Sequence, residues 1–375
     1  MPERHIVFVT GTRADYGKLK PLISTAAETA GIRVSVFVTG MHMLDLYGAT
    51  WMEVKKSGVG ELHPFINQNL NDSMDSILGK TVLGFSDFVK ARKPDLIVVH
   101  GDRVETLACA SVGALANVLV AHVEGGEFSG TVDGVIRHAV TKMSHIHLVA
   151  NEEAVQILVQ LGESRETIYQ IGSPDIDVMN SLSLPSITEV RDHYDFDFDE
   201  YGVLIFHPVT TELDTMREQC DAVVSAAVQS ALPFIVIFPN NDTGCEIILE
   251  CYGRFSAHDR FKVFPSIRFE SFLTVLKNSR LILGNSSAGI REAPHYGVPT
   301  VNVGSRQHGR LRPRSVIDVG ADSLAVLAAI EAARKAPRSR SSSYGVGDSA
   351  RQFGELLTED SFWEAATQKS FVRRV

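Results

Sequence analysis

The chain has 375 residues, of which 44% are hydrophobic and 22% are charged, and its formal net charge is -9. This length allows two or three domains, and the negative charge argues against nucleic acid as the main partner, because a surface that binds a phosphate backbone is basic. Four cysteines without C-x-x-C spacing predict reduced thiols rather than disulfides or a metal site. The chain has no apolar run of about 18 residues and no signal-peptide pattern, so we expect a cytoplasmic protein without a membrane partner.

Short apolar segments rich in Val and Ile alternate with longer amphipathic segments in the first half of the chain. They are apolar on both faces, which is typical of parallel strands that helices cover on both sides. The predicted strands are residues 5–10, 33–39, 95–100, 118–123 and 146–150. Helices are predicted between them, for example over 15–30 and 104–117, so the pattern indicates a doubly wound α/β domain.

The alternation stops after about residue 172, in an acidic segment that we interpret as a linker with one or two helices. It restarts with predicted strands at residues 203–208, 234–240, 261–266, 280–285 and 300–304. Residues 335–349 predict a loop. We therefore predict two α/β domains, residues 1–175 and 176–359, with a cleft between them and a C-terminal helix over 360–375 that packs on the first domain.

The segment GTRADYGKL after the first strand matches neither a dinucleotide-binding fingerprint nor a Walker loop. Asp15 is a candidate N-cap of the helix that follows. Arg13 and Lys18 flank the start of this helix, where backbone amides favour an anion. The alternative is a solvated basic pair next to a helix cap.

Two of the predicted buried strands contain a histidine near their carboxyl end, and in each case a carboxylate follows two positions later. His100 precedes Asp102, and His122 precedes Glu124. We expect both histidines to be core residues with one bonded ring nitrogen. Crowded carboxylates repel each other, so they indicate a place where the chemistry needs them or a cation binds.

The segment after Glu124 adds Glu127, Asp133 and Arg137 within a short distance along the chain. Glycines separate these residues, at positions 125, 126, 130 and 134. A turn with so little bulk leaves space beside its carboxylates. The segment therefore predicts a site that surrounds a small ligand with acidic groups.

In the second half, the segment GNSSAG places Ser286 and Ser287 at a predicted helix start, with Glu292 further along the helix. Serine hydroxyls and free backbone amides at a helix N-terminus favour a diphosphate, and a carboxylate inside the helix suits the two hydroxyls of a ribose. Ala288 stands where a nucleophile elbow requires glycine, which argues against an acyl hydrolase. A structural serine N-cap is the alternative.

Three further polar residues follow strands of the second half. His207 and Asn240 each stand at a predicted strand end, and Arg306 follows the strand at 300–304. Ligands of doubly wound sheets bind beyond the carboxyl ends of the strands, so Arg306 is expected near the same phosphates as the serines.

The sequence resembles the hydrolysing UDP-N-acetylglucosamine 2-epimerases of bacterial sialic acid synthesis in GTRADYGKLKPL, TGMHM, HGDR, EGGEFSGTVDGVIRHAVTKMSHIHL, IGSPD, FHPVTTE, FPNNDTG, PSIRFESF and GNSSAGIREAPHYGVP. These segments occur in order and cover both predicted domains. The resemblance implies a glycosyltransferase-B-like fold, two Rossmann-like domains with parallel sheets that face each other across a cleft. It also implies conversion of UDP-N-acetylglucosamine and water to N-acetylmannosamine and UDP without a cofactor or a metal, by a homodimer or homotetramer.

The same resemblance assigns residues to the two parts of the substrate. The residues implied to bind UDP are Arg13, His207, Asn240, Ser286, Ser287, Glu292 and Arg306. The residues implied around the sugar are Asp102, Glu124 and Asp133 in catalytic roles and Arg137, with Lys18, Arg103 and Glu127 as further sugar-binding candidates. Related sequences often have a second aspartate where this one has Gly134, which lowers the local charge but leaves Asp133 in place.

The implied reaction explains the carboxylates. A base removes the C2 proton while UDP leaves from the other face of the ring, which gives a glycal; water then adds at C1 and a proton reaches C2 from the opposite face. Two faces require two proton-handling groups, and mutual repulsion, partly relieved by Arg137, keeps one carboxyl protonated while another stays ionised. Which of Asp102, Glu124 and Asp133 is the base does not follow from the sequence.

Several alternatives stay open. The nearest is the same reaction on UDP-2,4-diacetamido-2,4,6-trideoxyglucose of legionaminic acid synthesis. A second is the non-hydrolysing epimerase, although Arg103 and the segment EGGEFSGT are more similar to the hydrolysing group. A sugar-transferring enzyme of the same architecture does not explain the carboxylate cluster, and a non-catalytic UDP-sugar sensor would bind UDP without releasing it from the substrate.

Overall fold

The computed structural model of the chain describes residues 3–129 and 132–372. Gly130 of the predicted glycine-rich turn and the last three residues of the predicted C-terminal helix lie outside the described residues. Two units are distinguished by their internal contacts. The first is formed by the described residues of Met1–Glu127, Asp133–Asn180 and Tyr344–Val375, and the second by those of Phe128–Val132 and Ser181–Ser343.

The first unit contains, in its described residues, a sheet of seven parallel strands. The strands are β1 (Arg4–Thr10), β2 (Ile32–Val38), β3 (Glu61–Pro64), β4 (Leu96–His100), β5 (Leu119–Val123), β6 (Ile146–Val149) and β7 (Ile168–Gln170). Their order in the sheet is β3-β2-β1-β4-β5-β6-β7, so the direction in which strands are added reverses between β1 and β4. Ligands of such sheets bind beyond the carboxyl ends of the strands at this reversal.

The second unit contains, in the part of the chain that is described, a sheet of six parallel strands. The strands are β8 (Gly202–Ile205), β9 (Phe234–Ile237), β10 (Phe261–Phe264), β11 (Leu281–Gly284), β12 (Thr300–Val303) and β13 (Val316–Val319). Their order is β10-β9-β8-β11-β12-β13, which reverses between β8 and β11. Both units therefore have the Rossmann-like strand order, and the predicted pair of parallel α/β domains is confirmed.

The helices alternate with these strands, and they include both helices predicted from the first half of the sequence. They are α1 (Arg13–Glu28), α2 (Trp51–Ser57), α3 (Met74–Arg92), α4 (Val104–Leu115), α5 (Val132–Met143), α6 (Glu152–Gln160), α7 (Pro174–Met179), α8 (Ile187–Tyr194), α9 (Met216–Gln229), α10 (Cys245–Tyr252), α11 (Phe269–Asn278), α12 (Glu292–Tyr296), α13 (Ser323–Lys335), α14 (Ser349–Thr358) and α15 (Asp360–Trp363). Short 3-10 helices are Gly40–Met43, Asp45–Tyr47, Arg165–Thr167, Leu213–Thr215, Gly253–Ala257 and Ser287–Gly289. None of the helices in the described residues has the length and apolar character needed to cross a membrane.

Three strands lack a counterpart in the sequence prediction, and all three lie at sheet edges. β3 and β7 are the two edges of the first sheet, and β13 is one edge of the second. Their sequences are ELHP, IYQ and VIDV, and most of their side chains are half-buried or exposed. An edge strand has fewer covered faces than a central one, so it lacks the continuous apolar run that identifies the buried strands.

The C-terminal helices α14 and α15 belong to the first unit, whereas the predicted boundary assigns residues up to 359 to the second domain. Phe353 on α14 and Phe362 on α15 are fully buried in the core that also contains Phe8 of β1. The carboxylate of Asp177 accepts hydrogen bonds from the backbone N–H groups of Ser349 and Ala350, at 3.1 and 2.8 Å, and so caps α14. Burial of one phenylalanine side chain contributes about 2 kcal/mol to the stability of the fold. These two residues therefore hold the C-terminal segment in the core of the first unit.

The described part of the predicted helix over 360–375 is helical only at Asp360–Trp363. After α15, Nζ of Lys369 donates to the carbonyl oxygens of Thr141 and Ser144, at 2.7 and 2.6 Å, and the N–H of Val372 donates to Gly162 at 3.0 Å. These contacts with α5 and the end of α6 replace the local hydrogen bonds that a helix would need. Tertiary contacts thus override the amphipathic pattern of this segment.

A buried ion cluster anchors the same segment. Glu163 accepts from Lys142 at 2.7 Å and lies 3.0 Å from His147 and 2.5 Å from Lys369. Burial acts to raise the pKa of Glu163, but the hydrogen bonds and charges of His147, Lys142 and Lys369 outweigh it and lower this pKa to about 2. A lowered carboxyl pKa stabilises the folded state above the ordinary pKa of 4.5, and this contribution is lost as the pH falls through about 2.

We expect Glu163→Gln to lower the free energy of unfolding by about 2 kcal/mol at pH 7, because hydrogen bonds to a charged group are lost. Urea unfolding at pH 7 and at pH 3 measures this, and the difference from the unmodified protein should shrink at the lower pH. Glu355→Gln is the matched control, since Glu355 forms an exposed ion pair with Arg351. Equal effects of the two substitutions would contradict the assignment.

Candidate active site

Glu124 follows β5 directly and lies in a turn at the carboxyl edge of the first sheet. Its backbone has φ +66°, in the left-handed region that residues other than glycine rarely adopt. Its side chain is buried. Such a backbone conformation costs about 1–3 kcal/mol and persists only where the surrounding structure imposes it, which is common at functional sites.

Several polar groups converge on one oxygen of this carboxylate, Oε1. Nε2 of His100 lies 3.1 Å away, Nζ of Lys18 lies 3.8 Å away, and the hydroxyl of Ser173 donates to it at 3.4 Å. Nδ1 of His100 lies 2.7 Å from Oδ1 of Asp15. Burial acts to lower the pKa of His100, but the charges of Glu124 and Asp15 outweigh it and raise this pKa to about 10.

The expectation that His100 is a core histidine with one bonded nitrogen is therefore wrong, because each of its ring nitrogens faces a carboxylate. His122 is a core residue as expected, but both of its ring nitrogens, rather than one, have partners. This side chain is fully buried, and its ring nitrogens face the carbonyl oxygen of Gly101 at 2.8 Å and the hydroxyl of Thr141 at 3.3 Å. Burial lowers the pKa of His122 to about 3.

Asp15 has a different local role from the predicted one. The N-cap of α1 is Thr12, whose hydroxyl accepts from the N–H of Asp15 at 3.1 Å. The carboxylate of Asp15 accepts in turn from the N–H of Gly11 at 2.9 Å. Asp15 therefore lies in the first helical turn, where its other oxygen faces His100.

Arg137 connects the predicted sugar-binding residues of the first unit. This buried side chain on α5 donates to the backbone oxygen of Glu124 at 2.6 Å, forms a short ion pair with Asp102, and lies 3.9 Å from Glu127. Asp133 lies four positions before Arg137 on the same helix, so the two share a helix face. The structure thus brings Asp102, Glu124, Glu127 and Arg137 together and places Asp133 on the helix face that carries Arg137.

Arg13 and Arg103 lie on neighbouring segments of the same edge and form pairs of their own. Arg13 opens α1 and lies 2.5 Å from Glu53. Arg103 precedes α4, and its Nε lies 3.5 Å from the buried carboxylate of Glu105. Arg13 belongs to the first unit, whereas the other residues predicted to bind UDP belong to the second.

Asn285, directly after β11, organises the corresponding edge of the second sheet. Its side chain accepts from the N–H of His207 at 2.7 Å and donates to the carbonyl oxygen of His207 at 2.9 Å. Arg306 and Gln307 both donate to the backbone oxygen of Asn285, at 3.4 and 2.7 Å. Asn285 was not predicted as a site residue, although its position between a glycine and two serines at a strand end is the signal that identifies it.

His207 has a defined protonation pattern. Its Nδ1 accepts a hydrogen bond from the backbone N–H of Asn240 at 3.0 Å. A backbone N–H only donates, so Nδ1 carries the lone pair, and Nε2 carries the proton of the neutral ring. His207 is therefore oriented as an Nε2–H donor at the reversal point of the second sheet.

The predicted helix at Ser286 and Ser287 is interrupted. Ser286 caps a 3-10 turn, Ser287–Gly289, and accepts from the N–H of Ala288 at 3.3 Å. The hydroxyl of Thr300 donates to the carbonyl oxygen of Gly289 at 2.6 Å, so this carbonyl is engaged by the neighbouring strand. A separate helix, α12, then begins at Glu292, which is buried. The serines are half-buried at a turn rather than at the start of a long helix.

The described residues contain no group of three His, Cys, Asp or Glu side chains that could hold a metal ion. The candidate groups instead form two sets. The set on the first sheet is rich in carboxylates with cationic partners, and the set on the second sheet is rich in hydrogen-bond donors. The first set is suited to moving protons, and the second is suited to binding an anion.

A family model described as UDP-N-acetylglucosamine 2-epimerase matches residues 25–358. A UDP-N-acetylglucosamine 2-epimerase of Neisseria meningitidis serogroup B is 44% identical over 98% of this chain and 99% of its own length. A UDP-N,N'-diacetylbacillosamine 2-epimerase (hydrolyzing) of Legionella pneumophila is 37% identical over 94% and 95%.

Among solved structures, the UDP-GlcNAc 2-epimerase of Methanocaldococcus jannaschii in complex with UDP-GlcNAc and UDP is similar with a TM-score of 0.79. Its sequence is 22% identical, and the match covers 94% of this chain and 99% of that one. This likeness concerns the fold, and it confirms the predicted glycosyltransferase-B-like class.

The backbone conformation of Glu124 predicts an unusual order of stability. Glu124→Gly should be more stable than Glu124→Ala by about 1 kcal/mol, because a Cβ is unfavourable at positive φ. Urea unfolding of both variants at pH 7 measures the difference. Glu127 is the matched control, since it lies three positions on without a positive φ, and there the alanine variant should be at least as stable as the glycine variant. The same order at both positions would contradict the strain.

Proposed function

We propose that this chain, which belongs to the UDP-N-acetylglucosamine 2-epimerase family, hydrolyses UDP-N-acetylglucosamine to N-acetylmannosamine and UDP with inversion at C2. The observation that carries the proposal is the buried carboxylate of Glu124 next to His100 and Lys18, with Asp102 and Arg137 beside it. A reaction that breaks and remakes a C–H bond on opposite faces of a sugar needs more than one proton-handling group.

Glu124 is suited to be the base. Two cations near its Oε1 favour its ionised form. In the first step Glu124 takes the C2 proton, the C–H electrons form the C1–C2 double bond, and UDP leaves with the bridging oxygen. Water then adds its oxygen to C1 while a carboxylic acid gives its proton to C2 on the opposite face, and the carboxylate so formed takes the proton that the water loses. The candidates for this second transfer are Asp102 and Asp133, which the resemblance assigns to the sugar.

The second unit supplies the nucleotide site in this proposal. The hydrogen bond from Asn240 to Nδ1 of His207 leaves the proton of the neutral ring on Nε2. In this proposal, that Nε2–H donates to a phosphate oxygen. Arg306 adds a positive charge that the backbone of Asn285 holds in place, and Arg–phosphate pairs are strong because both partners are ionised. Asn240, Ser286 and Ser287 complete the donors, Glu292 accepts from the ribose, and Arg13 is assigned to the same ligand on the resemblance alone. A homodimer or homotetramer is expected on the same ground.

The second candidate function is the same reaction on the 2,4-diacetamido-6-deoxy analogue. A relative with that type of substrate in its description is 37% identical, whereas one described as acting on UDP-N-acetylglucosamine is 44% identical. The higher identity favours the simpler sugar. The two sugars differ at C4 and C6, away from the C1–C2 bond where the proposed chemistry occurs.

Product analysis tests this proposal. The two UDP-sugars are supplied side by side in ¹⁸O-labelled water, and the products are identified by chromatography and mass spectrometry. We expect free N-acetylmannosamine from UDP-N-acetylglucosamine and UDP without ¹⁸O, because the C1–O bond breaks and the bridging oxygen stays with UDP. UDP-N-acetylmannosamine as the product would contradict hydrolysis, and preferred turnover of the analogue would favour the second candidate.

A further inference from the structure

The buried groups around Glu124 form a continuous row of alternating charges. The row runs from Asp15 to His100, Glu124, Lys18 and Asp175, with contacts of 2.7, 3.1, 3.8 and 3.5 Å. None of these side chains is more than 15% exposed. Burial of a charge is unfavourable unless the charge is paired. Each charged group of this row therefore depends on its neighbours in the row.

Four segments of the first unit contribute to the row. Asp15 and Lys18 lie three positions apart on α1 and share a helix face. His100 ends β4, Glu124 follows β5, and Asp175 lies in the first turn of α7. Glu124 is the central member, and both of its neighbours in the row are basic. The anions at the two ends, Asp15 and Asp175, each contact one of these basic residues.

His122 is an internal comparison for His100. It is the penultimate residue of the adjacent strand β5, two positions before Glu124, and it is fully buried. Its ring nitrogens face a carbonyl oxygen and a hydroxyl rather than carboxylates. Burial is the largest cause that lowers the pKa of His122, and the charges of His147, Arg137 and His100 lower it further, whereas the two carboxylates raise the pKa of His100.

We propose that His100 is a positioning residue for the proposed reaction: as a cation held between Asp15 and Glu124, it keeps Glu124 ionised and fixes the orientation of its carboxylate. Asp15 orients the ring from the outer side, as a carboxylate commonly orients a functional histidine. Lys18 supplies the second cation, and Asp175 pairs with it. Arg137 holds the backbone of Glu124 and pairs with Asp102 and Glu127.

This inference rests on the proposed function, and it predicts a specific change in the pH dependence. His100→Gln keeps hydrogen-bonding capacity but removes the positive charge. The acidic limb of the kcat/KM profile should then move to higher pH by about one unit or more, because an opposite charge within about 4–6 Å favours the ionised carboxylate. Turnover on the acidic side of the profile should fall about tenfold, and the difference from the unmodified protein should shrink as the pH rises.

Lys18→Met should move the same limb in the same direction. His147→Gln is the matched control, because His147 is also buried, lies in the same sheet, and faces Glu163 at 3.0 Å. Its profile should run parallel to that of the unmodified protein. A His100→Gln profile that is lower by the same factor at every pH would overturn the positioning role and indicate a structural one.

A second measurement needs no folded variant. Spectra of the protein with ¹⁵N-labelled histidine at pH 7.5 should show His100 as an imidazolium and His122 as a neutral ring. A neutral His100 would overturn the inference even where His100→Gln does not fold. Failure of the proposed function has a different signature, since the unmodified protein would then release no free sugar from either UDP-sugar.

Discussion

The pairing of one buried carboxylate, Glu124, determines how the first unit is arranged. A carboxylate in this environment is tolerated only with nearby cations and donors. Glu124 has cations next to its carboxylate from α1 and β4, and Arg137 of α5 donates to its backbone oxygen. These segments are distant in sequence but meet at the carboxyl edge of one parallel sheet. The strained backbone of Glu124 is maintained by the same contacts. In the proposed reaction these contacts within the fold hold the groups in place, which is the preorganisation that electrostatic catalysis requires.

The second unit uses the same topology for a different electrostatic purpose. Its sheet also reverses direction at the point where the polar residues collect, between β8 and β11. There, however, the organising group is a neutral amide, Asn285, which fixes the backbone of His207 and engages Arg306. One fold repeated twice thus yields one edge rich in paired carboxylates and one edge rich in hydrogen-bond donors. In the proposed reaction these two edges serve the sugar and the nucleotide, respectively.

The central strands and the fold class follow from the sequence, because buried parallel strands have continuous apolar runs. The edge strands β3, β7 and β13 do not follow, since partial burial leaves no such run. The carboxylates were recognisable from their crowding, but their partners were not. His100 has the same local pattern as His122, and the tertiary positions of Asp15 and Glu124 distinguish the two. The return of α14 to the first unit likewise depends on Asp177, a contact that no local pattern reveals.

In the proposed reaction, Glu124 exchanges a proton with the substrate carbon next to the bond that breaks. The most direct measurement is turnover of UDP-N-acetylglucosamine in heavy water by the unmodified protein and by Glu124→Gln, with the product examined by NMR. We expect deuterium at C2 of the free sugar, and we expect turnover by the variant to be lower by about 10²-fold or more, with UDP affinity nearly unchanged. A product without deuterium at C2, or a variant that turns over near the unmodified rate, would contradict this proposal.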